Sequence, residues 1–553
     1  MRPRTLGTVG CFGEYFCKKV NAVAMIIGRY LLTMPEKLCY NKPSWMNEKI
    51  KIISMEVFIM AKKRLLAALL LCALLVPGFV SCSEQTAEET SPVTAVPADS
   101  AAEPEEEAAE PEEEVRNPLL DDITDTFDFG GDTFTISLPQ PADLGAVYYD
   151  REELNGDMLN DAIYTRNLEV EERFNVLIDT RVDGWTHDQS AILRPILMAG
   201  DDAVDLVALG FMQSGANFIA NGLALPWNDV PYIDMQKPYW NQNMVDSLAV
   251  KGNVYLLIGD INWTTMCETA VCFFNKQVAE DYSVPDLYAL VDEGTWTFDR
   301  LYDIASAISH DVDGDGKMTE NDMYGCIQNM IVGVWSYQTA ANYHTVLRED
   351  DGITVNVVTD KMQSIVEFVN KLFHENYTSY IDEFDYAKDS KGVQIFFDNR
   401  ALFLLATLEH GEYFRQFDAD FGIVPYPKYD EAQEKYCGTS DQWGLACVMP
   451  VSVSNPTFNG VITEALCSGS AIHVKQAYYD KVLVGKQTRD EESGRMLDLI
   501  FSNLIYDFGL CYYGEFSSIT ELVQNNSNDL ASWHKKTSKM MSKIYEKFFD
   551  SVP

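Results

Sequence analysis

Between Thr133 and Gly210 the apolar period switches repeatedly between two and 3.6 residues, and this constrains the fold more than any other feature. Thr133-Phe134-Thr135-Ile136-Ser137-Leu138 alternates after the Gly130-Gly131 turn and predicts a strand. Asp157–Phe174 carries Leu159, Ile163, Leu168, Val170 and Phe174 at helical spacing. Val176–Thr180 reads as a second strand, Ser190–Met198 as a second helix, and Asp205–Leu209 as a short buried strand ending in Gly210. Strands alternating with helices predict an α/β fold, a mostly parallel sheet covered on both faces. Ligands of such sheets sit beyond the carboxyl ends of the strands. Phe211, Met212 and Gln213 are therefore candidate cleft residues, with loop packing as their competing use.

From Thr126 onward the chain has about 430 residues, more than one hydrophobic core usually supports, so two lobes are expected. Further stretches appear in order. Leu223-Ala224-Leu225-Pro226-Trp227 follows the third strand. Val254–Ile258 leads to Ala270-Val271-Cys272-Phe273-Phe274-Asn275-Lys276. Thr295-Trp296-Thr297-Phe298-Asp299-Arg300-Leu301 opens a helix that Thr297 caps and Asp299 supports at its positive end. Arg400-Ala401-Leu402-Phe403 and Phe421-Gly422-Ile423-Val424-Pro425-Tyr426-Pro427-Lys428 come later, the prolines suiting a segment that leaves a sheet. In this order and spacing, from Asp128 to Tyr513, the chain resembles the extracellular solute-binding proteins of bacterial ABC importers, of the sugar-binding, maltose-binding-protein-like group.

The resemblance implies a type II periplasmic-binding-protein-like fold. Each of its two lobes is a mixed sheet flanked by helices, and the ligand cleft lies between them. Lobe 1 is expected over 126–268 with a return over 436–475, and lobe 2 over 269–435. Helices over 476–553, with apolar Met496, Leu499, Ile500 and Leu504, are expected to pack on lobe 2. The resemblance also implies a monomer that closes on a small solute, a carbohydrate or oligosaccharide, and hands it unaltered to ABC permease subunits. Sugar faces stack on aromatic rings while their hydroxyls bond Asp, Asn, Gln and Arg. Trp443, Trp263, Trp335 and Trp185 are thus the candidate platforms, with Asp441 and Gln442 as polar neighbours of Trp443. Asp260 and Glu268 flank the first crossing and could equally be solvated.

One loop has the pattern of a calcium site. Asp311, Asp313 and Asp315 stand at positions 1, 3 and 5, Gly316 at 6, the Lys317 carbonyl at 7, Thr319 at 9 and Asp322 at 12. An EF-hand has Glu at position 12; dockerin-type loops also use Asp. A structural calcium in lobe 2 is expected, against the alternative of an acidic turn without metal.

Ahead of the folded part lies Lys62–Cys82, KKRLLAALLLCALLVPGFVSC. Three basic residues precede the apolar run Leu65–Leu75, then Pro77-Gly78 and Ser81-Cys82 follow. The run is shorter than the roughly 20 residues that span a bilayer. It resembles a bacterial lipoprotein signal, its box reading Phe79-Val80-Ser81-Cys82 with Phe79 where Leu is usual. This implies a signal peptide over 60–81, lipidation of Cys82, and a lipid anchor on the extracellular face of a bacterial, Gram-positive membrane. Cleavage near Ser81 to a soluble secreted product is the alternative. Met55-Glu56-Val57 can be encoded with GGAGGT, a ribosome-binding sequence, a few bases before Met60. Met60 is therefore expected to be the start, and 1–59 an untranslated upstream extension. Residues 82–125 contain AAEPEEE twice and are expected to form an acidic disordered tether.

Charge and cysteines exclude more than they assign. Residues 1–81 hold 12 of the 42 basic and 4 of the 84 acidic residues, leaving 83–553 at −50. Such a surface repels nucleic acid. The dispersed cysteines form no disulfide framework; Cys267/Cys272 and Cys437/Cys447 could each pair, or remain buried thiols. The chain has no Gly-x-Ser-x-Gly, Walker loop, HExxH or GxGxxG after a strand, so no enzyme is expected. The rival functions are a surface-anchored polysaccharide hydrolase and a glycan-binding adhesin.

Overall fold

The computed structural model describes residues 120–140, 149–349, 352–382, 390–414, 420–441, 443–483 and 491–552. The upstream extension, the signal peptide and Cys82 lie outside these residues, as do most of the tether and Gln442. Among the described residues no helix is long and apolar enough to cross a membrane.

The first sheet takes its strands from both ends of the folded region. Strands β1 (Asp132–Gln140), β2 (Val176–Trp185) and β3 (Leu206–Gly210) run parallel, in the order β2-β1-β3. Beyond β3 the sheet continues with β12 (Leu445–Pro450) and β4 (Ala224–Leu225). β12 is antiparallel to β3, with Leu445 opposite Gly210. The predicted elements appear with small changes. Asp157 caps the helix Met158–Phe174, accepting from the N–H groups of Leu159 and Asn160. β2 runs five residues past the expected Thr180, pairing with β1 as far as Gln140 opposite Trp185 through a register shift at which its buried residues change from Val176 and Ile178 to Asp183.

The second sheet lies wholly between the two crossings. Its order is β11 (Phe421–Val424), β5 (Ala270–Asn275), β10 (Ala401–Thr407), β6 (Tyr324–Asn329) and β9 (Ser379–Asp382). β6, β9 and β10 are parallel, while β5 is antiparallel to both β10 and β11. A small hairpin of β7 (Val346–Glu349) and β8 (Gly352–Val355) stands apart. Thr297 caps the helix Phe298–Ile308 as expected. Trp296 donates from Nε1 to the Pro425 carbonyl at 2.8 Å, tying that helix start to the return segment.

Two expectations need correction. The tether does not extend to 125: Arg173 binds Asp121 at 3.0 Å and Asp125 at 2.8 Å, and Lys237 binds Asp122 at 2.7 Å. Basic side chains of lobe 1 therefore fix the end of an otherwise acidic stretch. Nor do the C-terminal helices pack on lobe 2 alone. Lys475–Leu483 packs on Met158–Phe174 in lobe 1, whereas Glu491–Ser502 packs on β11 in lobe 2. Phe508–Ser517 joins the lobes. Asp507 at its N-cap accepts from the Thr345 backbone N–H at 2.8 Å, and Tyr512 donates to the Leu248 carbonyl at 2.8 Å. Each of these helices carries apolar residues that neither sheet alone can cover. All seven described cysteines are free and buried, so neither Cys267/Cys272 nor Cys437/Cys447 is bridged.

Candidate functional site

The parallel strands of lobe 1 end on one edge of their sheet, and several candidate residues converge there. Trp185 pairs with Gln140 at the end of β2 and is 46% exposed at the sheet's outer rim. Thr186 follows it, and its hydroxyl donates to Gln213 Oε1, while Ser214 Oγ donates to the Thr186 carbonyl. Gly210 permits this approach, since a Cβ there would lie 2.9 Å from Thr186 Cβ. The register of β12 then sets Trp443 beside the residues after Gly210. A Cβ on Gly444 would meet Phe211 Cε1 at 3.0 Å. Met212, Gln213 and Trp443 are half-buried, and Phe211 is buried.

The crossing segments run side by side between the two sheets. Ala270 N–H donates to Thr439 O at 2.9 Å, Asp441 N–H to Glu268 O at 2.8 Å, and Glu409 N–H to Cys267 O at 2.8 Å. This ladder gathers three carboxylates, those of Glu268, Glu409 and Asp441. Glu268 is only 5% exposed. Burial first, and then the negative charges of Glu409 and Asp441, push its carboxyl well above the usual range. This shift favours the protonated form of Glu268, which can donate as well as accept. Such a group suits a hydroxylated solute, whose hydroxyls also do both.

Sequence reasoning missed Glu409. The signal was available: Leu408–His410 follows β10 just as Phe211–Gln213 follows β3, and the strand-end rule applies to both.

The other candidates are placed differently. Trp263 is 1% exposed with its ring 5.3 Å from that of Tyr478, so it is a core residue and offers no platform. Trp335 lies on the helix Val332–Ala340 after β6. Its Nε1 donates to Ser518 Oγ at 2.7 Å, which commits its indole edge to the C-terminal segment. Asp260 is paired with Lys475 at 3.6 Å.

The predicted calcium loop gathers part of its ligand set. Carboxylate oxygens of Asp311, Asp313 and Asp315 lie within 4.8 Å of one another. Asp311 accepts from the N–H groups of Gly314 and Gly316, each at 2.7 Å, which holds it below the usual aspartate range. Asp322 faces inward instead, accepting from Val312 N–H at 2.9 Å and Thr319 N–H at 2.7 Å. Thr319 Oγ1 also donates to Asp322 at 3.1 Å, and Lys391 binds the neighbouring Glu320 at 3.0 Å. The hard oxygen donors and the positive-φ glycines Gly314 and Gly316 fit calcium. The trio of aspartates, with the Lys317 carbonyl at position 7, is the part left to hold it.

No protein-family profile matches the chain, and no curated protein matches it in sequence. Solved structures do match. A sugar transporter from Rhizobium etli in an open conformation aligns at a TM-score of 0.50 and 14% identity, covering 76% of this chain and 98% of that one. The GacH receptor of Streptomyces glaucescens aligns at a TM-score of 0.50 and 13% identity, covering 75% and 99%. These likenesses, with the two sheet orders, define the class: a type II periplasmic-binding-protein-like fold of two α/β lobes.

Proposed function

We propose that the chain is an extracellular solute-binding protein that captures a small carbohydrate between its lobes and presents it to an ABC permease. The observation that carries this is the meeting of segments from both sheets at the crossing ladder, where the carboxylates of Glu268, Glu409 and Asp441 gather. The two structural neighbours, a sugar transporter and a receptor solved with acarbose, support a sugar as the ligand class. Both lobes contact the solute only when closed, so closure gains the larger binding energy. Lipidation of Cys82 would hold the protein on the outer face of the membrane, with the acidic tether as a spacer. Calcium bound by Asp311, Asp313 and Asp315 would brace lobe 2 structurally.

A second reading rests on the same trio. A carboxyl whose surroundings favour its protonated form, beside two further acids, is also what glycoside hydrolysis needs. One experiment separates the two: thermal unfolding against mono- and oligosaccharides and peptides, with product analysis. Binding at 100 times Kd stabilises by about 2.7 kcal/mol, a shift of several degrees. The expected result is one stabilising sugar class with no turnover. Released product would favour the hydrolase, and indifference to every small sugar would sink the capture reading.

A further inference from the structure

A crevice of about 340 Å³ lies between the residues leading into the first crossing and the C-terminal helices. One wall belongs to lobe 1: Trp240 and Asp260, with Lys475 and Tyr479 from the helix that packs on Met158–Phe174. The opposite wall is Asp498 and Phe501 of the Glu491–Ser502 helix, which rides on lobe 2. Ser493 of that helix accepts from Ile423 N–H at 3.2 Å, and Arg495 makes a two-pronged ion pair with Asp292 at 2.7 and 2.9 Å. Tyr506 lines this crevice, and its ring packs edge-on against the buried Phe211 at 5.8 Å.

The lining has a definite chemistry. Its charged side chains are Asp260, Lys475 and Asp498. The Lys475 ammonium is engaged by Asp260, whose carboxyl burial raises to about 6 while Lys475 draws it down. Asp498 is exposed and stands beside the Tyr479 hydroxyl. The remaining charge is therefore negative, in a chain whose net charge is −42. Tyr479 and Phe501 stack across the crevice, ring centroids 5.5 Å apart and planes 20° apart, one ring from each wall. Carboxylates beside aromatic faces, in a negative field, attract an organic ammonium and repel anions.

We propose that this crevice is a second binding site, for a small organic amine. Its walls ride on different lobes, so rotation that closes the ligand cleft must move them relative to one another. Occupancy is then linked to solute capture, and the linkage is reciprocal; this consequence alone rests on the capture reading.

The test is calorimetric titration of the protein with putrescine and with glucosamine. The expected result is one-site binding of at least one of them, weakened tenfold or more in Asp498→Asn and in Ser502→Trp, and retained in Glu268→Gln. Asp498 and Ser502 are exposed, so both variants should unfold within a few degrees of the wild type. Absence of binding by both amines overturns the site, as does binding that survives both crevice variants or disappears in Glu268→Gln. Putrescine at saturation should also change the affinity for a sugar found by thermal screening by threefold or more. An unchanged affinity overturns the linkage, whereas a screen that returns no sugar counts against capture and leaves the amine titration standing.

Discussion

Two groups of three carboxylates occupy this protein, and their fates are opposite. Glu268, Glu409 and Asp441 meet at the crossing ladder; Asp311, Asp313 and Asp315 meet in a surface loop of lobe 2. Asp311 is held below the ordinary range because two backbone N–H groups point at it. Glu268 is pushed well above it because burial removes water and two more acids add their charge. The difference lies in what surrounds the acids. Backbone donors favour the ionised form of Asp311, which suits a cation, while desolvation favours the protonated, hydrogen-bonding form of the crossing glutamate.

The largest expected effect separates the trios by function. Glu268→Ala should weaken sugar binding by on the order of 100-fold, about 2.7 kcal/mol, and Asp311→Ala should change it less than about twofold. Titration of both variants with the stabilising sugar checks this. Equal losses in the two variants would break the comparison, since the loop would then belong to the ligand site.

A smaller effect concerns stability and pH. The folded protein keeps a proton on Glu268 that the unfolded chain releases above about pH 4.5. Stability attached to this group therefore falls as pH rises from there toward the folded pKa. Glu268→Gln keeps the shape and removes the linkage. The variant should match the wild type near pH 4.5 and exceed it at pH 8, by on the order of 1–3 kcal/mol. Urea unfolding at the two pH values measures the gap; a gap that is widest at pH 4.5 would show that burial does not govern this acid.

Much of the frame was legible in the sequence because it is written locally. The Asp157 cap, the alternation of Thr133–Leu138 and the Thr297 cap each depend on residues within a few positions of one another. The end of β3 at Gly210, which puts Met212 and Gln213 just past the strand, was also readable locally. What could not be read depends on partners far along the chain. Trp263 looks like Trp443 in sequence, yet Tyr478, more than 200 residues away, packs against its ring. The C-terminal helices have apolar faces that any lobe could cover, and nothing local tells Lys475–Leu483 to choose lobe 1 and Glu491–Ser502 to choose lobe 2. Glu409 becomes a candidate only because β10 and β5 pair and bring it to Glu268.

The smallest expected effect tests the loop trio as a cation holder. With Kd of about 0.1 mM, as in extracellular calcium modules, 1 mM calcium should stabilise the protein by about 1.4 kcal/mol. Magnesium at the same concentration should do less, because it demands tighter octahedral geometry and keeps its water. Asp315→Asn should remove most of the calcium effect while leaving the metal-free stability nearly unchanged, since Asp315 is exposed and its carboxylate accepts only from Lys317 N–H, at 2.7 Å. Asp322→Asn should behave differently. Its carboxylate braces the loop through Val312 and Thr319, so the metal-free protein should itself lose stability. Thermal unfolding with calcium, with magnesium and with a chelator reads all of these. No calcium shift in the wild type would mean that the backbone N–H groups alone satisfy the trio, and the contrast with the crossing acids would then be one of solvation only.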